Sequence, residues 1–257
     1  MTELVRRAWV EQVMGLPVSV HVRGPDLSVA EPVVEELFAD LHRADAVFSP
    51  YRDDSELSRW ERGELLVTEA DPTLAEVLDL CEQARERTEG WFDPRGLPDP
   101  HDGRPRYDPS GLVKGWAAQR AGGRLSALDD CGWYLNAGGD IMVHAPADQP
   151  PWRVGVEDPF DGQRLLTVVN GRDLAVATSG VNHRGTHIID PHRGTPATSV
   201  RSVTILGPEL LWADVYATAA VARGLSAMDW LAELDGYEAL LVDASAQVFA
   251  TEGWPRG

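Results

Sequence analysis

Two oxygen-bearing side chains, Asp214 and Thr218, stand four residues apart in the Ala-rich segment ADVYATA. In an α-helix this spacing places both on one face, where a carboxylate and a hydroxyl can hold a small hard cation such as Mg²⁺. His187 precedes them in HIIDP, and a histidine with a pKa of about 6.5 can accept a hydroxyl proton at neutral pH. These residue types indicate chemistry on a phosphate ester. The structural alternative makes Asp214 a first-turn helix acid and lets Thr218 hydrogen-bond the preceding turn.

Three upstream segments could contribute to such a site. The segment DPSGLVKGWAA places Gly111 at a helix start and Lys114 one turn in, a combination that suits a phosphate; the alternative is a Gly-containing helix packed closely on a strand. The Gly-Gly pair of Asn136–Asp140 permits either close backbone approach to a ligand or a simple tight turn. Tyr51 lies in a polar loop, where its ring could stack on a planar heterocycle or fold back on the core.

The composition limits the classes of partner. A chain of 257 residues with a formal net charge of −18 lacks the basic footprint of a nucleic-acid binder. No apolar run reaches membrane-spanning length, so we expect no membrane insertion. The N-terminal residues lack the features of a signal peptide, and we therefore expect a cytoplasmic protein. Cys81 and Cys131 have no metal-ligand spacing, and we expect both to be buried and reduced.

The elements that must position these residues follow from periodicity and turn signals. Two strands are predicted over residues 8–23, and helices are predicted at about 29–47, 54–59, 71–90 and 111–128. From residue 132 onward short strands alternate with turn signals such as Asn170-Gly171, followed by helices at 209–223 and 226–235 and a final hairpin. Strands and helices without regular βαβ alternation predict an α+β fold, which we expect to form one domain over residues 1–257.

Seven segments also resemble a known family. FSPYRDDSELSRW, GWFDP, DPSGLVKGWAA, LNAGGDI, AVATSG, HIIDP and ADVYATA occur in the order found in the ApbE-type FAD:protein FMN transferases. The resemblance runs from Met14 to about Gly224. It implies an ApbE-like fold of mixed sheets with flanking helices and an FAD cleft between two interlocked lobes. It also implies transfer of the FMN half of FAD to a Thr or Ser hydroxyl of a target flavoprotein, with release of AMP.

The resemblance assigns roles to individual residues. Positions that contact FAD in the family match Met14, Tyr51, Trp91, Phe92, Asp93, Asp108, Lys114 and Ile188. The Mg²⁺ ligands match Asp214, Thr218 and the carbonyl of Gly111, and the proposed base for the acceptor hydroxyl matches His187. Arg95 and Glu61 depart from the family pattern, as does the short span between Asp93 and Asp108.

Two other functions remain open on the same residues. Water as the nucleophile would make the protein an FAD pyrophosphatase that yields FMN and AMP. A protein that kept the flavin site without turnover would be a non-catalytic FAD-binding module. Detection of FMN and AMP without any acceptor favours the first, and FAD binding that is insensitive to loss of Asp214 favours the second.

Overall fold

The computed structural model describes residues 4–95, 97–98, 103, 105–180 and 188–255. Its strands are β1 (Val5–Val13), β2 (Leu16–Gly24), β3 (Leu97–Pro98), β4 (Pro105–Arg106), β5 (Gly132–Ala137), β6 (Asp140–His144), β7 (Trp152–Asp158), β8 (Asp161–Gly171), β9 (Asp173–Gly180), β10 (Ile189–Asp190), β11 (Thr195–Pro196), β12 (Val200–Gly207), β13 (Glu238–Asp243) and β14 (Val248–Ala250). Its α-helices are α1 (Ala30–Phe48), α2 (Glu56–Glu61), α3 (Pro72–Arg87), α4 (Ser110–Gly122), α5 (Leu210–Arg223) and α6 (Ala227–Leu231). Short 3₁₀ turns cover Val67–Glu69, Gly123–Ala127 and Gly224–Ser226.

The centre of the fold is an eight-stranded sheet in the order β1-β2-β5-β6-β9-β12-β13-β14, and every neighbouring pair is antiparallel. The alternation of side chains along a strand sends successive residues to opposite faces. In β9, Ala175 and Ala177 belong to the core under the helices, and Val176 belongs to a second core. The predicted α+β class is confirmed, with a large antiparallel sheet and flanking helices.

The two faces of the sheet are covered differently. One carries the helices, with α5 buried along nearly its whole length. The other carries the β7–β8 hairpin, whose Val154, Val156 and Val169 pack against Ile141 and Val143 of β6. The hairpin is inserted between β6 and β9, which are themselves neighbours in the sheet. An insertion of this kind leaves the central strands in contact while it shields their second face from water.

Local sequence signals account for the helix boundaries. The side chain of Ser55 accepts the Ser58 N–H at the start of α2, and Asp71 accepts the Thr73 N–H before Pro72 opens α3. Helix α4 ends at Gly122, short of the predicted end at about residue 128, and a 3₁₀ turn covers Gly123–Ala127. One prediction was wrong: Asn170 and Gly171 lie inside β8, paired with Arg153 and Trp152, because the long β7–β8 ladder continues to Gly171. The second C-terminal helix is also shorter than predicted.

One end of the sheet collects the turns that matter for the site. The β1–β2 turn at Met14-Gly15 and the β5–β6 turn at Gly138-Gly139 lie side by side, since the Gly138 N–H donates to the Pro17 carbonyl. Both glycines of the second turn have positive φ, which glycine adopts readily and which closes the hairpin. The β9 residues Thr178–Gly180 end at the same side of the sheet, because β6 and β9 run antiparallel. In the described part of the chain no helix is long and apolar enough to cross a membrane.

Candidate functional site

A cleft opens where the N-terminus of α4, the middle of α5 and the end of β9 meet. Its walls contain most of the residues that the sequence analysis selected: Trp91, Phe92, Asp93, Asp108, Gly111, Lys114, Ile188, Asp214 and Thr218. Ser110, Ser179, Ile189, Pro191 and Ala222 complete the lining. Residues from five separate chain segments therefore share one concave surface.

Helix α5 contributes the carboxylate and the hydroxyl. Asp214 is the fifth residue of the helix and is almost fully buried, so it is not a first-turn acid. The Thr218 hydroxyl lies 2.9 Å from the Ser179 hydroxyl of β9 rather than on the carbonyl of its own preceding turn. Because Asp214 and Thr218 are one helical turn apart, both reach the cleft from the same face of α5. The structural alternative for this pair is thereby ruled out.

Glycines of α4 allow this helix to approach α5 closely. A Cβ atom at Gly115 would lie 2.9 Å from the Asp214 Cβ and 3.0 Å from the Leu210 carbonyl oxygen. The Gly115 N–H donates to Asp214 Oδ2 at 3.1 Å. At Gly111 a Cβ would lie 3.6 Å from the Thr218 hydroxyl oxygen, which places the Gly111 backbone beside the α5 oxygen donors. At Gly115 the close partner of α4 is thus the helix α5 and not a strand.

A buried charge cluster lies at the floor of the cleft. The Lys114 ammonium is 2.5 Å from Asp140 Oδ2 and 3.4 Å from Asp214 Oδ1. Burial raises the pKa of Asp214, and the neighbouring Asp140 carboxylate raises it further, while Lys114 and the Gly115 N–H act in the opposite direction. Two carboxylates thus share one ammonium, and additional positive charge would stabilise their ionised forms.

These donors fit a hard divalent cation. Asp214 offers a carboxylate oxygen and Thr218 a hydroxyl, and the Gly111 backbone lies beside Thr218; oxygen ligands of this kind suit Mg²⁺. Asp140 Oδ2 accepts no hydrogen bond from the described residues, although it is paired with Lys114. Three-residue clusters of His, Cys, Asp or Glu are absent from the described ranges, so a metal here would be held by mixed oxygen donors.

The end of α3 presents the aromatic wall of the cleft. Glu89 and Gly90 both have positive φ and terminate the helix. The buried Thr88 hydroxyl donates to the Ala84 carbonyl at 2.7 Å and accepts the Phe92 N–H at 2.9 Å. This pair of bonds turns the chain so that Trp91 and Phe92 face the cleft. Trp116 has no such role: it is a core residue that packs edge-on against Phe48.

Asp108 is tied to the start of α4. Its side chain accepts the Ser110 N–H at 2.9 Å, and its own N–H donates to the Pro94 carbonyl. Glu61 and Arg95, the two residues that depart from the family pattern, both contact the loop that leads to Asp108. Glu61 accepts the Tyr107 N–H at 2.6 Å, and the Arg95 guanidinium lies 5.8 Å from the Tyr107 ring centroid. Glu61 and Arg95 therefore stabilise the segment that precedes Asp108.

Two selected residues lie outside the cleft lining. Tyr51 is 86% exposed, with the Arg106 guanidinium 6.0 Å from its ring centroid, so it does not fold back on the core. Met14 adopts a positive φ in the β1–β2 turn and packs against the main core. His187 lies outside the described residues.

Sequence reasoning missed Asp140 and Ser179 as members of the site. Both lie within selected segments, LNAGGDI and AVATSG. Those segments were selected for their glycines and small residues and not for Asp140 or Ser179. Asp140 is only 1% exposed, and its Oδ1 accepts the Thr178 N–H at 3.2 Å. An acidic residue directly after a Gly-Gly turn, in a strand that otherwise reads as apolar, was the available signal.

Comparison with known proteins agrees with the resemblance. The model of the ApbE family matches residues 14–98 and 101–241. The chain is 34% identical to an FAD:protein FMN transferase of Treponema pallidum over 170 residues, which is 58% of this chain and 46% of the relative. It is 27% identical to an enzyme of the same name from Vibrio cholerae, over 79% of this chain and 77% of the relative. It thus covers less than half of the Treponema relative.

Solved structures of the same fold were also found. The ApbE protein of Thermotoga maritima superposes with a TM-score of 0.83 at 22% identity, covering 96% of this chain and 97% of that one. The flavin transferase ApbE of Vibrio cholerae gives a TM-score of 0.82 at 22% identity, with 97% and 98% covered. At this identity the structural likeness establishes the fold.

Proposed function

Because this chain belongs to the ApbE family, we propose that it is an FAD:protein FMN transferase that uses Mg²⁺. In the proposed reaction the FMN half of FAD passes to a Thr or Ser hydroxyl of an acceptor flavoprotein, and AMP is released. The observation that carries the proposal is the cleft in which Lys114, Asp214 and Thr218 converge with the aromatic wall of Trp91 and Phe92. Such a surface offers charge neutralisation and an apolar wall to one ligand.

The family relatives support the choice of substrate. Both the Treponema and the Vibrio proteins are named FAD:protein FMN transferases. In our proposal FAD contacts Met14, Tyr51, Trp91, Phe92, Asp93, Asp108, Lys114 and Ile188. Of these, Tyr51 and Met14 would meet the parts of the ligand that extend beyond the cleft, and the exposed Tyr51 ring is free to cover a flavin face.

The metal would be held by Asp214, Thr218 and the Gly111 carbonyl. Bound Mg²⁺ would neutralise charge on the diphosphate of FAD. The protein's own contribution is to hold these oxygens on one face of α5 and to keep the Lys114 ammonium at the cleft floor. Phosphoryl transfer depends mainly on such positioning and charge stabilisation rather than on covalent participation by the protein.

We assign the proton transfer to His187. Its imidazole would accept the proton of the acceptor hydroxyl while the hydroxyl oxygen bonds to the FMN-side phosphorus. The bond from this phosphorus to the bridging oxygen breaks, and the electron pair leaves with the AMP phosphate. The products are a phosphoester between FMN and the acceptor, and free AMP.

The test uses purified protein, FAD, Mg²⁺ and flavoproteins that carry an exposed acceptor Thr or Ser. We expect an acceptor to gain the mass of FMN and to become fluorescent in a denaturing gel, with AMP released in equal amount. The control is the same acceptor with its hydroxyl residue changed to Ala. FMN and AMP without labelled acceptor would instead identify an FAD pyrophosphatase, and FAD binding without either product would identify a binding module.

A further inference from the structure

Asp140 contacts Lys114 at the floor of the cleft, and none of the roles assigned above involves it. It lies at the start of β6, directly after the Gly138-Gly139 turn, and is buried. Its Oδ1 accepts the Thr178 N–H at 3.2 Å, and its Oδ2 faces the Lys114 ammonium at 2.5 Å. A buried carboxylate in this position is costly unless its charge is compensated, and Lys114 supplies that compensation.

Lys114 is the single lysine of the chain, whose other 22 residues in the Lys and Arg total are arginines. The bridging position between the two carboxylates is therefore occupied by a compact ammonium and not by a planar guanidinium. An ammonium is a point charge on a flexible stem and can be drawn toward either partner. Its nearer partner is Asp140, at 2.5 Å against 3.4 Å for Asp214.

The two oxygens of Asp214 are in different situations. Oδ2 accepts the Gly115 N–H at 3.1 Å, whereas Oδ1 is the oxygen that faces Lys114. An ammonium that closed onto Oδ1 would occupy the position that a divalent cation needs. In the structure the ammonium lies nearer to Asp140 Oδ2 than to this oxygen.

We propose that Asp140 is a positioning residue that restrains the Lys114 ammonium and thereby leaves Asp214 Oδ1 available to the divalent cation. The inference rests on the proposed function for the role of Asp214 as a metal ligand. It goes beyond that function because it assigns Asp140 an effect on the metal that acts through Lys114. Without Asp140, the ammonium loses the nearer of these two carboxylates and moves toward Asp214.

The test is a double-mutant cycle of Asp140→Asn, Lys114→Met and the double variant, with Mn²⁺ alone as the probe. Binding is measured by the loss of the free-Mn²⁺ electron paramagnetic resonance signal. With Lys114 present, Asp140→Asn should weaken Mn²⁺ binding about tenfold; with Met at 114 the same change should weaken it about threefold or less. Asp173→Asn is the matched control, since it removes an exposed carboxylate from the opposite end of the β6–β9 pair and should leave the affinity unchanged.

The single lysine provides a second readout that needs no mutant. Its amine is acylated under limiting conditions and the modified peptide is quantified by mass spectrometry, with the α-amino group resolved separately. In the parent protein the modification rate should be unaffected by saturating Mg²⁺, because Asp140 holds the ammonium in both states. In Asp140→Asn the rate should rise severalfold when Mg²⁺ displaces the ammonium from Asp214.

The outcomes distinguish a failure of the positioning role of Asp140 from a failure of the proposed metal site. Equal effects of Asp140→Asn with Lys or Met at position 114 would overturn the positioning role while leaving the transferase proposal intact. A rise in Lys114 modification when Mg²⁺ is added to the parent protein would do the same. Failure of the parent protein to bind Mn²⁺ would overturn both the metal assignment and the inference.

Discussion

The hydroxyl oxygens of Ser179 and Thr218 lie 2.9 Å apart and join the end of β9 to the middle of α5. Thr218 is one helical turn from Asp214, whose carboxylate is held by the Gly115 N–H of α4. A strand and two helices thus fix the two oxygen donors relative to each other. This arrangement determines how substitutions at Asp214, Gly115 and Ser179 should act.

Replacement of Asp214 by Asn should remove Mg²⁺ dependence together with activity. Asn preserves the side-chain volume at this buried position but lacks the charge that a divalent cation requires. We expect the rate of flavin transfer to fall by about 10²–10³-fold, with FAD binding largely kept. Transfer rates are measured as a function of Mg²⁺ concentration, and Asp173→Asn is the control. A variant that retains the parental Mg²⁺ response would exclude Asp214 as a ligand.

Gly115→Ala should separate α4 from α5. The added methyl group would lie 2.9 Å from the Asp214 Cβ and 3.0 Å from a backbone carbonyl oxygen, so a helix has to shift. We expect a loss of about 1–3 kcal/mol in the free energy of unfolding, measured by urea denaturation, and a lower transfer rate. Gly123→Ala is the matched control because nothing lies within 4 Å of its added methyl group; an equal loss in both variants would contradict the packing argument.

Ser179→Ala should affect the metal response more than the fold. The change removes the hydrogen-bond partner of the Thr218 hydroxyl, which then samples other orientations. We expect the Mg²⁺ concentration for half-maximal rate to rise about two- to twelvefold, because a lost hydrogen bond of this type is worth about 0.5–1.5 kcal/mol. Ser126→Ala, which removes an exposed hydroxyl bonded to the Gly123 carbonyl, should leave that concentration unchanged.

Tyr51→Ala should weaken FAD binding without loss of stability. The ring is 86% exposed, so its removal opens no cavity, whereas an aromatic contact with the flavin is worth about 0.5–1.5 kcal/mol, or roughly a two- to twelvefold change in Kd. Tyr51→Phe keeps the ring and should bind as the parent does. Flavin fluorescence titration measures both variants, and unchanged affinity in Tyr51→Ala would remove this residue from the FAD site.

His187→Ala should abolish transfer and spare FAD binding. The change removes the proposed base but leaves the aromatic wall of the cleft intact. We expect a loss of about 10²–10⁴-fold in rate, measured with saturating acceptor. The control is His144→Ala, a histidine paired with Asp173 away from the cleft lining. Parental transfer by His187→Ala would show that another group takes the proton.

Much of the fold follows from local physics. Apolar alternation located β1, β2 and the strands after residue 132, and the capping residues Ser55 and Asp71 marked the starts of α2 and α3. The helical period alone placed Asp214 and Thr218 on one face. These features depend on residues close together in the chain, which is why a single sequence predicts them.

The completed cleft depended on contacts between distant residues. Asp140 and Asp214 are far apart in the chain, and they share Lys114 only because β6 neighbours β9 in the sheet and α4 packs on α5. The β7–β8 hairpin lies between β6 and β9 in sequence, so their pairing could not be deduced from adjacency. The sequence alone determined which donor types are present and which helical face carries them. Strand order and helix packing decided which carboxylates meet one ammonium, because a long-range pairing is selected by burial over the whole core and not by any local pattern.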